Sequence, residues 1–289
     1  MTKQRMEKDM TGRISKAAAT VLAVTAVLAV VAGTASAAKT VIYSDIPSPL
    51  PGNLASVGFQ ATQTSEFGGQ VEFGPGSWKS PTVKVTMSSF ACVTGNWFKG
   101  DCETPSGSKF EWPITISLYS VEPDNSVGAL IARASKTFKL PYRPSFNILH
   151  CNSENAGKWY SGASKKCFNG KAFNISLGLN VAKLPEKAIV SVAYNTSGYG
   201  AVPQGYETAC ASKEEGCFYD SLNVGLAEVS PTVGAAPLRV EEKAYLNAAL
   251  GGDYCDGGAA GTGTFRLDSP SAGCWEEFQP AIEVKASAG

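Results

Sequence analysis

Thr82-Val-Lys-Val-Thr-Met87 alternates strictly, with Val83, Val85 and Met87 on one side and Thr82, Lys84 and Thr86 on the other. Side chains that repeat every two residues mark a strand with one buried and one wetted face. The alternation returns in Ile114, Ile116 and Leu118 against Thr115, Ser117 and Tyr119, and in Phe173, Ile175, Leu177 and Leu179 against Asn174, Ser176, Gly178 and Asn180. Runs at 41–44, 56–61, 70–73, 129–140, 188–195, 222–229, 238–246, 264–267 and 282–285 bring the total to about a dozen short strands. Glu122-Pro-Asp-Asn-Ser-Val-Gly128 has the turn residues that a hairpin connection needs. Many short strands without alternating helices predict an all-β fold of two packed antiparallel sheets, a jelly-roll-like β-sandwich.

The N-terminus reads differently. Lys3, Arg5, Lys8, Arg13 and Lys16 precede an apolar run at 17–32, which leads into Gly33-Thr-Ala-Ser-Ala37. A basic start, an apolar stretch too short to span a bilayer comfortably and an Ala-Ser-Ala end make a signal peptide. Cleavage after Ala37 is expected to leave 38–289 as a single secreted domain, because no spacer, charge run or repeat divides it. The C-terminal Ile282-Glu-Val-Lys-Ala-Ser-Ala-Gly289 has no hydrophobic tail, and the first cysteine is Cys92. The expectation is an extracellular protein, free or associated non-covalently with the cell wall, with no membrane insertion after cleavage.

The whole chain has 25 basic and 25 acidic residues. Loss of five basic residues and of Glu7 and Asp9 with the signal leaves the mature domain about three charges negative. Without a Lys/Arg cluster it offers no electrostatic footprint for phosphate backbones or anionic lipid, so nucleic acid is not an expected partner.

All eight cysteines lie in the exported part, in four short intervals: Cys92 and Cys102, Cys151 and Cys167, Cys210 and Cys217, Cys255 and Cys274. An even count in an oxidising compartment implies disulfides. Eight cysteines allow 105 pairings. Neighbour pairing is favoured because each interval lies in a Gly-, Ser- or Asn-rich stretch between strand-like runs, which predicts four locally stapled loops. A zinc site lacks a CxxC pair, and His150 is the only histidine.

Ile46-Pro-Ser-Pro-Leu-Pro-Gly-Asn53, Val57-Gly-Phe-Gln-Ala-Thr-Gln-Thr-Ser-Glu-Phe-Gly68, Asn195-Thr-Ser-Gly-Tyr-Gly200 and Asp220-Ser-Leu-Asn-Val224 resemble segments of uncharacterised secreted and cell-surface β-sandwich proteins of actinobacteria. The resemblance covers nearly the whole mature chain and implies an extracellular β-sandwich. It carries no catalytic motif.

Nucleophilic catalysis with a histidine base has only His150, beside a cysteine expected to be bridged. No Gly-x-Ser-x-Gly elbow is present, and oxidised cysteines supply no thiolate. A glycoside hydrolase or polysaccharide lyase needs less, such as two carboxylates facing each other across a bond. The adjacent pairs Glu214-Glu215, Glu241-Glu242 and Glu276-Glu277 do not supply them directly, since neighbours on a strand face opposite sides. Asp253 and Asp256 in Leu250-Gly-Gly-Asp-Tyr-Cys-Asp-Gly-Gly258 are candidate oxygen ligands for a structural calcium, although the spacing is not that of an EF-hand loop. No other cofactor is implied.

Aromatic residues accompany the stapled loops: Trp97 and Phe98 between Cys92 and Cys102, Trp159 and Tyr160 between Cys151 and Cys167, and Trp275 after Cys274. A pinned loop presents a ring at little entropic cost, and sugars stack on aromatic faces. Trp97, Trp159, Tyr160 and Trp275 are therefore candidate ligand-binding residues for an extracellular or cell-wall polysaccharide. Nearby Asn96, Asn152, Asn169, Lys158 and Asp101 are candidate partners for hydroxyls. The same rings also serve to plug the end of a sandwich and cover disulfides. Three functions stay open: a non-catalytic carbohydrate-recognising module, a carbohydrate-active enzyme using acidic residues, and a structural or adhesive surface protein, which should display an exposed apolar patch.

Overall fold

The computed structural model describes residues 38–59, 64–194, 222–241, 243–268 and 278–289, all within a unit that runs from Ala37 to Gly289. The expected signal peptide, Cys210, Cys217, Cys274 and Trp275 lie outside the described residues. In chain order the strands are β1 (Thr40–Ser44), β2 (Ser56–Gly58), β3 (Thr64–Glu72), β4 (Trp78–Ser89), β5 (Lys109–Val121), β6 (Val127–Pro141), β7 (Trp159–Ser161), β8 (Lys166–Phe168), β9 (Lys171–Gly178), β10 (Lys187–Ala193), β11 (Leu222–Gly225), β12 (Ala244–Ala248), β13 (Arg266–Asp268) and β14 (Ile282–Ala288). No helix among the described residues is long and apolar enough to cross a membrane.

Two larger sheets form, both antiparallel. In the first, β4 carries β14 along 78–85 and β11 along 87–89 on one edge, and β9 along 82–89 on the other. β1 extends this sheet beyond β14, and β2 extends it beyond β11. The second sheet runs β13-β12-β3-β10-β5-β6. Val83, Val85 and Met87 from β4, with Ile175 and Val284, share one hydrophobic cluster with Ile114, Ile116 and Leu118 from β5 and Val190 and Val192 from β10. The apolar side of each alternating run therefore meets the other sheet, and burial of that shared surface is the main driving force of the fold.

β4 extends past the alternating stretch because it is paired on both edges. Thr86 and Ser88 are buried there, and they keep their hydroxyls bonded to Asn174 Oδ1 and Asn53 Oδ1. The stretch 238–246, expected as one strand, divides into a helical turn α1 (Pro237–Val240) and β12. Pro237 occupies the first helical turn. Its fixed φ suits that position, and its missing N–H would break a ladder. The β7–β8 hairpin was not expected, because three-residue strands are too short to show a period.

At the margin of the main cluster, against Tyr43 and Ile282, Asp45 is fully buried. It accepts hydrogen bonds from Tyr43 Oη at 2.7 Å and from the Ile282 amide at 2.6 Å. Burial pushes its carboxyl up to about 6.

Candidate functional site

β4 ends at Ser89, which pairs with Lys171 at the start of β9. β5 begins at Lys109, which pairs with Pro141 at the end of β6. The β4–β5 connection and the β6–β9 connection thus leave the two sheets at the same end of the fold. Each is closed by a disulfide, Cys92–Cys102 in the first and Cys151–Cys167 in the second, as neighbour pairing predicts. Cys255 is also disulfide-bonded. Such bridges place the folded chain in an oxidising environment.

The two loops are fastened to each other through the backbone. Phe146 N donates to Cys102 O at 3.0 Å and Arg143 N to Ala91 O at 2.9 Å, while within the first loop Thr94 and Glu103 exchange hydrogen bonds of 3.0 and 2.9 Å. Thr104 N donates to Ser145 Oγ at 2.8 Å. Arg143 is fully buried under the junction, where Nη2 donates to Gly157 O at 2.9 Å and Nε to Pro144 O at 3.2 Å. Its Nη1 is buried with no hydrogen-bond partner among the described residues, and burial holds the guanidinium down to about 10. An unpaired buried cation persists only where it ties together groups that would otherwise be unsatisfied. The Arg143 side chain therefore braces the second loop from inside, while its backbone amide reaches the first at Ala91 O.

Gly100 and Gly157 meet where the loops cross, both at positive φ, 76° and 78°. A Cβ on Gly157 would collide with Gly100 Cα. Gly157→Ala is therefore expected to destabilise the protein by about 2–4 kcal/mol, from left-handed strain plus overpacking. Chemical denaturation checks this, and a loss below about 0.5 kcal/mol would contradict the contact.

Between the fastened loops lies an open cavity of about 530 Å³, within the usual range for ligand pockets. Val93, Pro105, Phe146 and Ile148 supply apolar wall, and Thr94, Glu103, Thr104 and Ser145 supply polar groups. Ser145 Oγ is engaged with the Thr104 backbone on both sides, as acceptor and as donor. Large apolar side chains crown this end: Phe98 and Leu149 are each 83% exposed, Ile148 70% and Val93 42%.

The aromatic residues singled out in the sequence separate here. Trp159 is only 6% exposed. Its Nε1 donates to Gly170 O at 2.6 Å, Phe168 packs at 5.4 Å and Lys171 Nζ sits 5.3 Å from the ring centre. It plugs the sheet end and offers no face to a ligand, which corrects its assignment as a platform residue. Trp97 is half-buried, held by Phe90 at 5.0 Å and by the edge-on ring of Phe98 at 5.8 Å. Tyr160 lies in the hairpin and stacks on His150 at 4.2 Å. His150 Nδ1 in turn contacts Asn147 Oδ1 at 3.2 Å.

Several polar groups expected to meet hydroxyls are already engaged within the loops. Asn96 Oδ1 accepts from Phe98 N, Asp101 Oδ1 accepts from Asn96 N, and Lys158 Nζ donates to Asn155 Oδ1. Asn152 is exposed at the start of the short 3-10 turn Ser153–Asn155, and Asn169 is half-buried beside β8.

The two calcium candidates sit in different surroundings. One Asp256 oxygen receives Arg266 Nη2 and the Gly258 amide, both at 2.8 Å, and the other receives the Ala260 amide. These bonds, led by Arg266, hold the carboxyl below its usual range. Asp253 has a buried Oδ2 without a hydrogen-bond partner among the described residues, and burial raises its pKa. No group of three or more metal-ligating side chains occurs among the described residues.

A second polar constellation crosses the outer face of the second sheet. Glu66 accepts from Ser191 Oγ and from Tyr119 Oη, and Arg133 reaches Tyr119 Oη at 2.7 Å and Ser117 Oγ at 3.0 Å. Glu66, Ser191, Ser117 and Tyr119 are all buried, so the network fixes the strands rather than presenting them. Sequence reasoning missed both this network and the crown. Ile148-Leu149 was the available signal for the crown, as an apolar pair beside a cysteine and outside any alternating run.

The fold and its fastened end define an all-β, disulfide-stabilised protein of an oxidising compartment. No family model, curated protein or solved structure matches the chain.

Proposed function

We propose that the chain is a secreted, non-catalytic adhesive protein of the cell exterior, a jelly-roll-like sandwich that associates through its disulfide-fastened end. The observation that carries this reading is the set of exposed apolar side chains on the two fastened loops, Val93 and Ile148 at the cavity wall and Phe98 and Leu149 elsewhere on the same loops. Contiguous exposed apolar side chains on a monomer mark interaction surfaces. Loops closed by disulfides and locked together lose little entropy on binding. The two loops carry exposed charges of both signs, Lys99 and Lys165 as well as Asp101, Glu103 and Glu154. Charges of both signs on one surface are compatible with docking against a second copy about a two-fold axis, which is why a second copy of the chain is the partner proposed.

Phe98→Ser combined with Leu149→Ser tests the reading. Both side chains are exposed, so unfolding free energy should move by less than about 0.5 kcal/mol. Self-association followed by sedimentation should weaken by tenfold or more. An unchanged association constant in the folded variant sinks the proposal.

A polysaccharide ligand at the same end rests on Tyr160 with its stacked His150 neighbour, besides the part-exposed Trp97 and exposed Phe98. Retention of the mature domain on peptidoglycan, cellulose or chitin, lost in Tyr160→Ala, would favour that reading over adhesion. Release of soluble sugar would favour an enzyme that uses acidic residues.

A further inference from the structure

β6 is fifteen residues long and forms the margin of the second sheet. It pairs with β5 along one side, and no backbone hydrogen bond among the described residues reaches its other side. Long open margins template the addition of another strand, and proteins guard them with charge. The charges here have one sign. Arg133, Lys136 and Lys139 punctuate β6, which has no acidic residue.

Lys136 is the informative one. It pairs with Ile114, whose side chain lies in the core, so Lys136 occupies an interior-facing position of the pleat. Yet it is exposed, with Nζ 5.2 Å from the centre of the Phe138 ring. An added strand would place its own side chains beside this inward-facing ammonium and strip part of its water, and an unpaired charge that loses water is expensive. Another copy of β6 brings only further cations. A strand with a carboxylate opposite Lys136 satisfies the position.

We propose that the free edge of β6 takes up an extended acidic polypeptide segment as an added strand, selected by Lys136; Arg133 is held by Tyr119 and Ser117, and Lys139 lies 3.6 Å from Glu111, so both contribute less. Main-chain bonds would supply affinity and the alternating carboxylates specificity. This site is separate from the crown and does not depend on it.

The probe is a short synthetic peptide that alternates valine with glutamate, compared with its lysine counterpart by fluorescence anisotropy and amide hydrogen exchange on the mature protein. The glutamate peptide should bind at low salt, weaken as salt rises and slow exchange along 127–141. Lys136→Glu should weaken it about tenfold, and Lys139→Glu, at a second exposed position, less. Phe98→Ser with Leu149→Ser should leave it unchanged, which separates this site from the adhesive reading. Absence of binding at low salt, equal binding of the lysine peptide, or protection confined to other strands would overturn the proposal.

Discussion

Trp159→Ala should unfold the protein more readily rather than blind it to a ligand. The indole is buried between Phe168 and Lys171, with Nε1 on Gly170 O. Removing a buried tryptophan costs about 3–5 kcal/mol through lost burial and the cavity left behind. The carbonyl of Gly170 loses its donor as well. Trp159→Phe keeps most of the ring volume but not the N–H, and should cost about 1–3 kcal/mol. Denaturant midpoints separate the two variants. A Trp159→Ala protein with an unchanged midpoint and a lost binding activity would restore Trp159 to the surface and contradict the packing described.

The second large effect depends on pH. Burial raises the Asp45 carboxyl from 3.8 to about 6, so between those values the folded chain holds its proton more tightly than the unfolded one. The associated stability is fully present below about 3.8 and is lost as pH rises through about 6. A shift of that size corresponds to roughly 3 kcal/mol. Asp45→Asn keeps an acceptor for the Ile282 amide, and Tyr43 Oη can rotate to accept from the new amide. Relative to this variant, the wild type should lose about 2.4 kcal/mol between pH 4 and pH 7. Parallel denaturation curves across that range decide it. A constant difference would mean that Asp45 does not change its proton on folding.

Much of the fold is legible in the sequence because its cause is local. The two-residue period of 82–87 and 114–119 states which side of β4 and β5 faces inward, and burial of Val83, Val85, Ile114 and Ile116 follows it. Short intervals between Cys92 and Cys102 and between Cys151 and Cys167 likewise give those two pairings. What escapes is set by distant partners. Nothing near Trp159 says that Gly170 will take its N–H, so Trp97 and Trp159 look alike in sequence, while one becomes half-exposed and the other a plug. Arg143 shows no local sign that it will be buried without a carboxylate partner, because its burial depends on how its own loop folds back to bring Gly157 O to the guanidinium. The crown is illegible for the same reason. Phe98, Ile148 and Leu149 come from two connections, and only the pairing of β4 with β9 and of β5 with β6 places those connections at one end.

Amide hydrogen exchange of the mature protein at low and high protein concentration tests the adhesive role of that end most directly. Slower exchange at high concentration across 93–104 and 144–151, absent when Phe98 and Leu149 are both serine, is the expected result. Concentration-independent exchange in these segments, or protection that appears only elsewhere on the domain, would contradict it.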